Sequence, residues 1–346
     1  MQNKINLGII GKNFGYKVIY KSFLKNKKFK IVGFSFRKKK NTYIKLPESI
    51  KIYSNWKKLI LDKKVNAVAI ACPPKLHKTI IRFAIKNNKH IFCEKPFTTS
   101  SRDANFICNL VKKRKNISHM VNYEFPNIDA FDFFKKLMAK IKINQIKLDW
   151  IININKRSKT NWKEIHSKGG GIMFNYVCHA IYYLEFLFGQ IKSLKSDLFL
   201  EKESGLKNLK TKFFFDKNLL VKMNMKVGLL KKIRPVHQLK VISNKKTYVL
   251  KTELNSLSDK FKLIAFNNKL KEKTTKILFN NKKNKSDFRI LPTFKNSKKF
   301  SDWILKGNRQ VPNFFNAKRV HLIINKMILS SKKNKRIYVK SATFSS

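Results

Sequence analysis

Acidic side chains are scarce in this sequence: 19 Asp and Glu stand against 78 Lys and Arg in 346 residues, a formal charge of +59. The surplus invites a nucleic-acid reading, but the lysines run along the whole length instead of gathering on one helix or tail. Arginine, which sequence-specific DNA readers use for bidentate base contacts, is uncommon. No specific nucleic-acid partner is therefore expected, and most of the charge is assigned to solvated faces. Glycine (11) and proline (8) are few as well. With abundant Lys, Asn, Ile and Phe, that is the pattern A+T-rich codons produce. The four cysteines, Cys72, Cys93, Cys108 and Cys178, show no CxxC spacing, which excludes a disulfide scaffold and points to reduced, buried thiols. Neither clustered carboxylates nor Cys/His spacing suggests a metal. No apolar run approaches the ~18–20 residues that span a bilayer. Because KINLGII opens the chain almost at once, no cleavable leader is expected, and the expected location is cytoplasmic.

What is present is a chain with 43% hydrophobic residues, enough for two domains with cores of their own. Its organising stretch runs from Val65 to Pro96. Val65–Cys72 is apolar at successive positions, as in a strand covered on both faces of a parallel sheet. Pro73-Pro74 breaks it, Leu76–Lys86 has helical periodicity, and His90–Cys93 is a second strand ending in Glu94-Lys95-Pro96. Ligands of such βαβ units sit beyond the carboxyl ends of the strands, where both proline-containing segments fall.

The first strand, Lys4–Ile10, is followed by GKNFGYKV and a helix over Tyr16–Leu24. Glycines at this point permit a tight turn and close approach of backbone to a pyrophosphate. Gly11 and Gly15 are in place, but Asn13 stands where a central glycine is usual. The second strand, Phe29–Phe36, runs into RKKKNT, with no Asp or Glu between Gly33 and Pro47 to hold a ribose 2′-hydroxyl. Ser35, Arg37 and Lys38 would instead bind a 2′-phosphate, which favours NADP over NAD. A helix over Asn55–Leu61 capped by Ser54, a helix capped by Ser100 or Ser101, and a strand His119–Phe125 complete a first domain of residues 1–125.

From Pro126 the rhythm changes. A helix Ala130–Met138 and a strand Gln145–Asn155 precede Trp162 and the segment SKGGGIMFNYVCH, whose helix carries Asn175 and His179 four residues apart, with Gly189 at its end. Strand-like segments then follow one another without helices, which indicates a mostly antiparallel sheet. A helix near Lys298–Leu305, another over Asn316–Ser330 and a strand Arg336–Val339 close the chain. The expected fold class is α/β: an N-terminal dinucleotide-binding Rossmann domain (1–125) and a C-terminal α+β domain with an open sheet (126–346), whose final helix can return to the first domain.

GIIGKNFG, ACPPKLH followed by HIFCEKP, GGGIMFNYVCH and FNAKRVHLIINKMILSS, in this order and over nearly the whole length, resemble the glucose-fructose oxidoreductase and inositol dehydrogenase family of NAD(P)-dependent oxidoreductases. The resemblance implies that Lys95, the lysine of the EKP motif, contacts substrate hydroxyl and nicotinamide. It implies that His179 acts on the reacting hydroxyl. Asn175 falls on an aspartate of the family pattern and Pro126 on an arginine, two departures that bear on the substrate. Tyr123 and Trp162 join Lys95 and Asn175 as expected substrate contacts. Gly11, Asn13, Phe14, Gly15, Ser35, Arg37, Lys38, Cys72, Pro73, Pro74, His77, Glu94 and Lys95 are the expected cofactor contacts. His119, His166, His237 and His321 join no constellation and are assigned structural or exposed positions.

The implied activity is hydride transfer between a nicotinamide cofactor, NADP or alternatively NAD, and a secondary hydroxyl or carbonyl of a sugar or cyclitol, by a homo-oligomer (dimer or tetramer). An ammonium such as Lys95 stabilises developing alkoxide charge, and an imidazole passes a proton near neutral pH. The alternatives are a non-catalytic dinucleotide-binding regulator and a basic nucleic-acid-binding protein.

Overall fold

A computed structural model of the protein describes residues 4–36, 44–153, 168–201, 205–228, 235–252, 261–268, 276–280 and 287–341. The chain divides into two compact units, neither of them one continuous stretch. Unit one holds residues 1–127, 167–169 and 286–321; unit two holds 128–166, 170–285 and 322–346.

Unit one is built on a six-stranded sheet with the order β3-β2-β1-β4-β5-β6, every pairing parallel. Its strands are β1 (Ile5–Ile10), β2 (Phe29–Ser35), β3 (Lys51–Tyr53), β4 (Ala67–Ile70), β5 (His90–Cys93) and β6 (His119–Val121). β1, β4 and β5 are apolar on both faces because helices cover both. A π-helical turn (Gly15–Tyr20) running into α1 (Lys21–Leu24) follows β1. The remaining helices are α2 (Trp56–Leu61), α3 (His77–Lys86) and α4 (Ser101–Lys112). The N-cap of α2 is Asn55, whose side chain accepts from Lys58 N, and not Ser54; α4 is capped by Ser100.

The return of residues 286–321 to unit one differs from a boundary after Phe125, and packing explains it. The helix expected near Lys298–Leu305 is the second half of a longer one, α7 (Ile290–Lys306); Pro292 falls in its first turn, where a missing N–H costs nothing. α7 docks on α1. Ser22 Oγ donates to Ile290 O, Asn26 Nδ2 to Ser297 Oγ, and Lys28 pairs with Asp302 at 2.7 Å. Phe300 is fully buried, stacked on Phe29 and tilted against Phe92. Burying one such ring contributes roughly 1.5–3 kcal/mol, so α7 belongs to this core although it lies far along the chain.

Unit two contains α5 (Asp129–Met138), α6 (Cys178–Phe188) and a nine-stranded sheet. Its strands are β7 (Ile143–Asn153), β8 (Ser193–Glu201), β9 (Gly205–Phe214), β10 (Leu220–Gly228), β11 (Val236–Ser243), β12 (Lys246–Thr252), β13 (Phe261–Asn267), β14 (Lys276–Asn280) and β15 (Ile337–Tyr338). The order is β14-β13-β12-β11-β7-β10-β9-β8-β15, antiparallel except where β10 runs parallel to β7. The closing helix α8 (Phe314–Lys333) has residues in both units.

Register places Lys195, Lys212, Lys222, Lys147 and Lys240 directly opposite one another across five adjacent strands. Like charges facing each other across strands are destabilising, by roughly 0.2–1 kcal/mol per pair. Lys222→Glu, in the middle of the row, is therefore expected to raise Tm by a few degrees in calorimetry. The gain should shrink as salt rises towards ~1 M, where the screening length is about 3 Å. An unchanged or lower Tm at low salt would show that the row carries no repulsion. No helix among the described residues is long and apolar enough to cross a membrane.

Candidate active site

The carboxyl edge of the first sheet assembles the glycine turn, the end of β2 and the Cys72-Pro73-Pro74 loop. Gly11 N donates to Ser35 O at 2.9 Å and Ala71 N to Ile10 O at 2.7 Å, extending the β1 ladder on both sides. Gly11 lies at φ +117°, and a Cβ there would run into the carbonyl of Ala71 and come within 2.9 Å of Cys72 N. Only glycine lets the two backbones meet this closely. Asn13 is exposed, Phe14 and Cys72 half-buried, Gly15 and Pro74 buried and Pro73 exposed. Ser35 is buried at the end of β2. Arg37 and Lys38 lie outside the described residues, as does Trp162. Pro74 also faces Gly169, the first of the glycine triplet, where a Cβ would come 2.8 Å from the proline.

His77, expected against the cofactor, is fully buried with both ring nitrogens on backbone carbonyls: Nε2 on Cys72 O at 2.9 Å, Nδ1 on Pro96 O at 3.1 Å and Phe97 O at 3.2 Å. It ties the loop after β4 to the loop after β5. Burial pushes its pKa down, and the facing carbonyls pull it partly back.

The hydrogen-bond ladder of β5 runs one residue past the strand, with Glu94 N donating to Ile70 O at 2.9 Å. Lys95 is the first side chain off the sheet, half-buried, and its peptide to Pro96 is cis. Behind it lies a polar network that the sequence reading did not single out. Asn122 Nδ2 donates to Glu94 Oε1 at 2.6 Å and to Thr293 Oγ1 at 3.0 Å, and Thr293 Oγ1 donates to Glu124 Oε1 at 3.4 Å. Burial raises the pKa of both carboxyls; Glu124 raises Glu94 further, while Lys95 and Arg289 pull both back. Arg289 is bidentate with Asp287, at 2.9 and 2.6 Å, and its guanidinium lies 5.0 Å from the ring of Phe14 in the glycine turn. One signal for this network was legible: Thr293, Asn296 and Lys299 recur at three-residue spacing on one helix face. Tyr123, expected at the substrate, is buried beside Asn122, and its carbonyl accepts from Asn296.

In unit two, the glycine triplet leads into a π-helical turn (Met173–Val177) and then α6. Asn175 on that turn is half-buried, and His179, one turn later, is buried. His237 is also buried: it stacks on Trp150 at 3.9 Å between centroids and lies 3.0 Å from Tyr183 Oη through Nε2. Among the described residues no group of His, Cys, Asp and Glu could hold a metal ion.

The profile described as "Oxidoreductase family, NAD-binding Rossmann fold" matches residues 5–123, and its partner, "C-terminal alpha/beta domain", matches residues 141–210. The chain belongs to the Gfo/Idh/MocA oxidoreductase family. Curated relatives include an uncharacterised oxidoreductase of Synechocystis, 31% identical over 151 residues (42% of this chain and 40% of that protein). Levoglucosan dehydrogenase of Pseudarthrobacter phenanthrenivorans is 29% identical over 153 residues (42% and 38%). These matches span about two fifths of the relatives' length. Among solved structures, levoglucosan dehydrogenase in complex with NADH superposes with TM-score 0.80 at 17% identity, covering 98% of this chain and all of that one. The transcriptional regulator Gal80p of Kluyveromyces lactis superposes with TM-score 0.82 at 13% identity, covering 97% and 94%. Both likenesses establish the fold. It is a Rossmann-like parallel sheet joined to a mostly antiparallel mixed sheet.

Proposed function

We propose that the protein is an NAD(P)-dependent oxidoreductase that moves a hydride between nicotinamide and a secondary hydroxyl or carbonyl of a sugar, cyclitol or sugar derivative. The observation that carries this reading is the placement of Lys95 immediately after Glu94, where the β5 ladder ends, in the unit that also holds the close Gly11–Cys72 approach. The cofactor carries the hydride. Lys95 supplies the ammonium that stabilises developing charge on the substrate oxygen, and His179 exchanges the hydroxyl proton. Asn175 binds a sugar hydroxyl without being able to accept its proton. Ser35, Arg37 and Lys38, with no carboxylate after β2, make NADP the preferred cofactor and NAD the weaker one. Levoglucosan dehydrogenase, whose structure is described with NADH and levoglucosan, supports the substrate class.

Titration with NADPH and NADH at fixed moderate salt, following nicotinamide fluorescence, tests the cofactor assignment. NADPH should bind more tightly, and Arg37→Ala should remove that advantage while sparing NADH. Binding of neither nucleotide above the level of inorganic phosphate would end this reading. A non-catalytic dinucleotide-binding regulator is the second reading, favoured by Asn175 and by the fold shared with a transcriptional regulator. Nucleotide binding without turnover of any sugar in a broad panel would favour it.

A further inference from the structure

The polar network behind Lys95 has a direction. Lys299 Nζ donates to Asn127 Oδ1 at 2.9 Å, Asn127 Nδ2 to Asn296 Oδ1 at 2.6 Å, Asn296 Nδ2 to Asn122 Oδ1 at 2.9 Å, and Asn122 Nδ2 to Glu94 Oε1 at 2.6 Å. Three amides therefore run head to tail from an ammonium to a carboxylate, each polarising the next. The second N–H of Asn122 engages Thr293 Oγ1, which leaves the threonine hydroxyl to donate to Glu124. Glu94, Asn122, Glu124, Asn127, Thr293 and Asn296 are all 8% exposed or less. Two carboxyls thus lie in one desolvated pocket, each aimed at by a single donor. Nearby like charges in such surroundings do not both ionise readily.

We propose that Glu94 and Glu124 hold one proton between them, and that release of this proton biases the neighbouring site towards the oxidised, cationic nicotinamide. The proposal rests on the dinucleotide-binding reading above. With one proton on the two carboxyls their single negative charge balances Lys95. Asp287 and Arg289 neutralise each other through their bidentate contact. Loss of the shared proton leaves one uncompensated negative charge, which attracts NAD+ or NADP+ and not the neutral reduced ring. The other ionisable groups facing the pair are Cys93, one residue before Glu94, and Lys21 through Asp287; Lys299 caps the far end of the amide chain. Burial lifts both carboxyls out of the ordinary range, which sets the proton's release near neutral pH. Glu124 is on this view a positioning residue that acts through Glu94.

The experiment is titration of the full chain with NADP+ and with NADPH between about pH 6 and pH 9. Both nucleotides share every contact outside the nicotinamide, so the ratio of their Kd values isolates the ring charge. In the wild type the oxidised form should gain on the reduced form at least about threefold across this range, with one proton allowing at most about tenfold per pH unit. Glu124→Gln should shift the rise towards lower pH and so reduce the slope in this window, because burial still raises Glu94 but the like charge of Glu124 no longer does, whereas Glu124→Asp should keep the slope. Circular dichroism of each variant controls for folding. A flat wild-type ratio with both nucleotides bound, or an unchanged slope in Glu124→Gln, would overturn the inference while leaving the oxidoreductase reading intact. Failure of both nucleotides to bind would remove the two together.

Discussion

Lys95→Met is expected to lower turnover of the best sugar substrate roughly 10²–10³-fold, the size of losing one preorganised charge at a developing oxyanion, with little change in NADPH affinity. Methionine matches the length of the lysine stem, so the loop around Pro96 keeps its packing; His77 still ties it to Cys72 through backbone carbonyls. What disappears is the ammonium. Lys95→Arg should recover little, because a planar guanidinium does not replace a compact point charge at the end of β5. The measurement is steady-state kinetics with fluorescence titration of the same preparations. If the methionine variant keeps wild-type kcat, Lys95 stabilises no charge in the reaction. If kcat falls only in step with a loss of NADPH binding, its role is in cofactor affinity.

Stability should peak near about pH 6.5 and decline on both sides. On the acid side, burial depresses five imidazoles: His119 and His237 to about 3, His321 to about 4, and His77 and His90 below their ordinary value. Below ~6.5 the unfolded chain takes up protons that the folded chain refuses, so stability is lost as pH falls. On the alkaline side the sign reverses. Burial raises both Glu94 and Glu124, so between them the folded state keeps a proton that unfolded glutamates release near ~4.3. Their contribution is present at low pH and fades as pH rises through neutrality; above ~6.5 no histidine offsets it. Each proton is worth about 1.4 kcal/mol per pH unit. Calorimetry at constant ionic strength should therefore show Tm falling by several degrees between about pH 6.5 and 8.5. Glu124→Gln should flatten that limb and steepen the acid limb above about pH 4.3, where the glutamate opposes the histidines. A decline that begins only above about pH 8.5 would belong instead to the buried thiols of Cys72, Cys93 and Cys108, all pushed upward by burial.

Several features were legible in the residues themselves. A short run apolar at successive positions, two prolines, an amphipathic helix and a second run point to β4, α3 and β5, because local pattern and a two-sided burial requirement coincide there. Gly11 follows from the tight turn that such a unit needs, and the glycine triplet before α6 marks a helix start. The end of β6 was harder to place, since His119–Phe125 alternates polar Asn122 and Glu124 with Val121, Tyr123 and Phe125 as a strand would, while the strand stops at Val121 and Phe125–Asn127 turns into a short 3₁₀ helix. The packing of α7 on α1, more than 260 residues away in sequence, depends on Phe300 meeting Phe29 and Phe92, which no local pattern announces. A separation of 169 to 174 residues hid the amide chain as well. Asn122 and Glu124 look like ordinary loop residues until Thr293 and Asn296 of α7 are set against them, and the lysine row is invisible until cross-strand register aligns five separate segments. Local periodicity and turn chemistry determined the elements and the position of Lys95. Only the long-range packing decided which charges face one another, because burial and Coulomb interaction depend on distances in space that the order of residues does not fix.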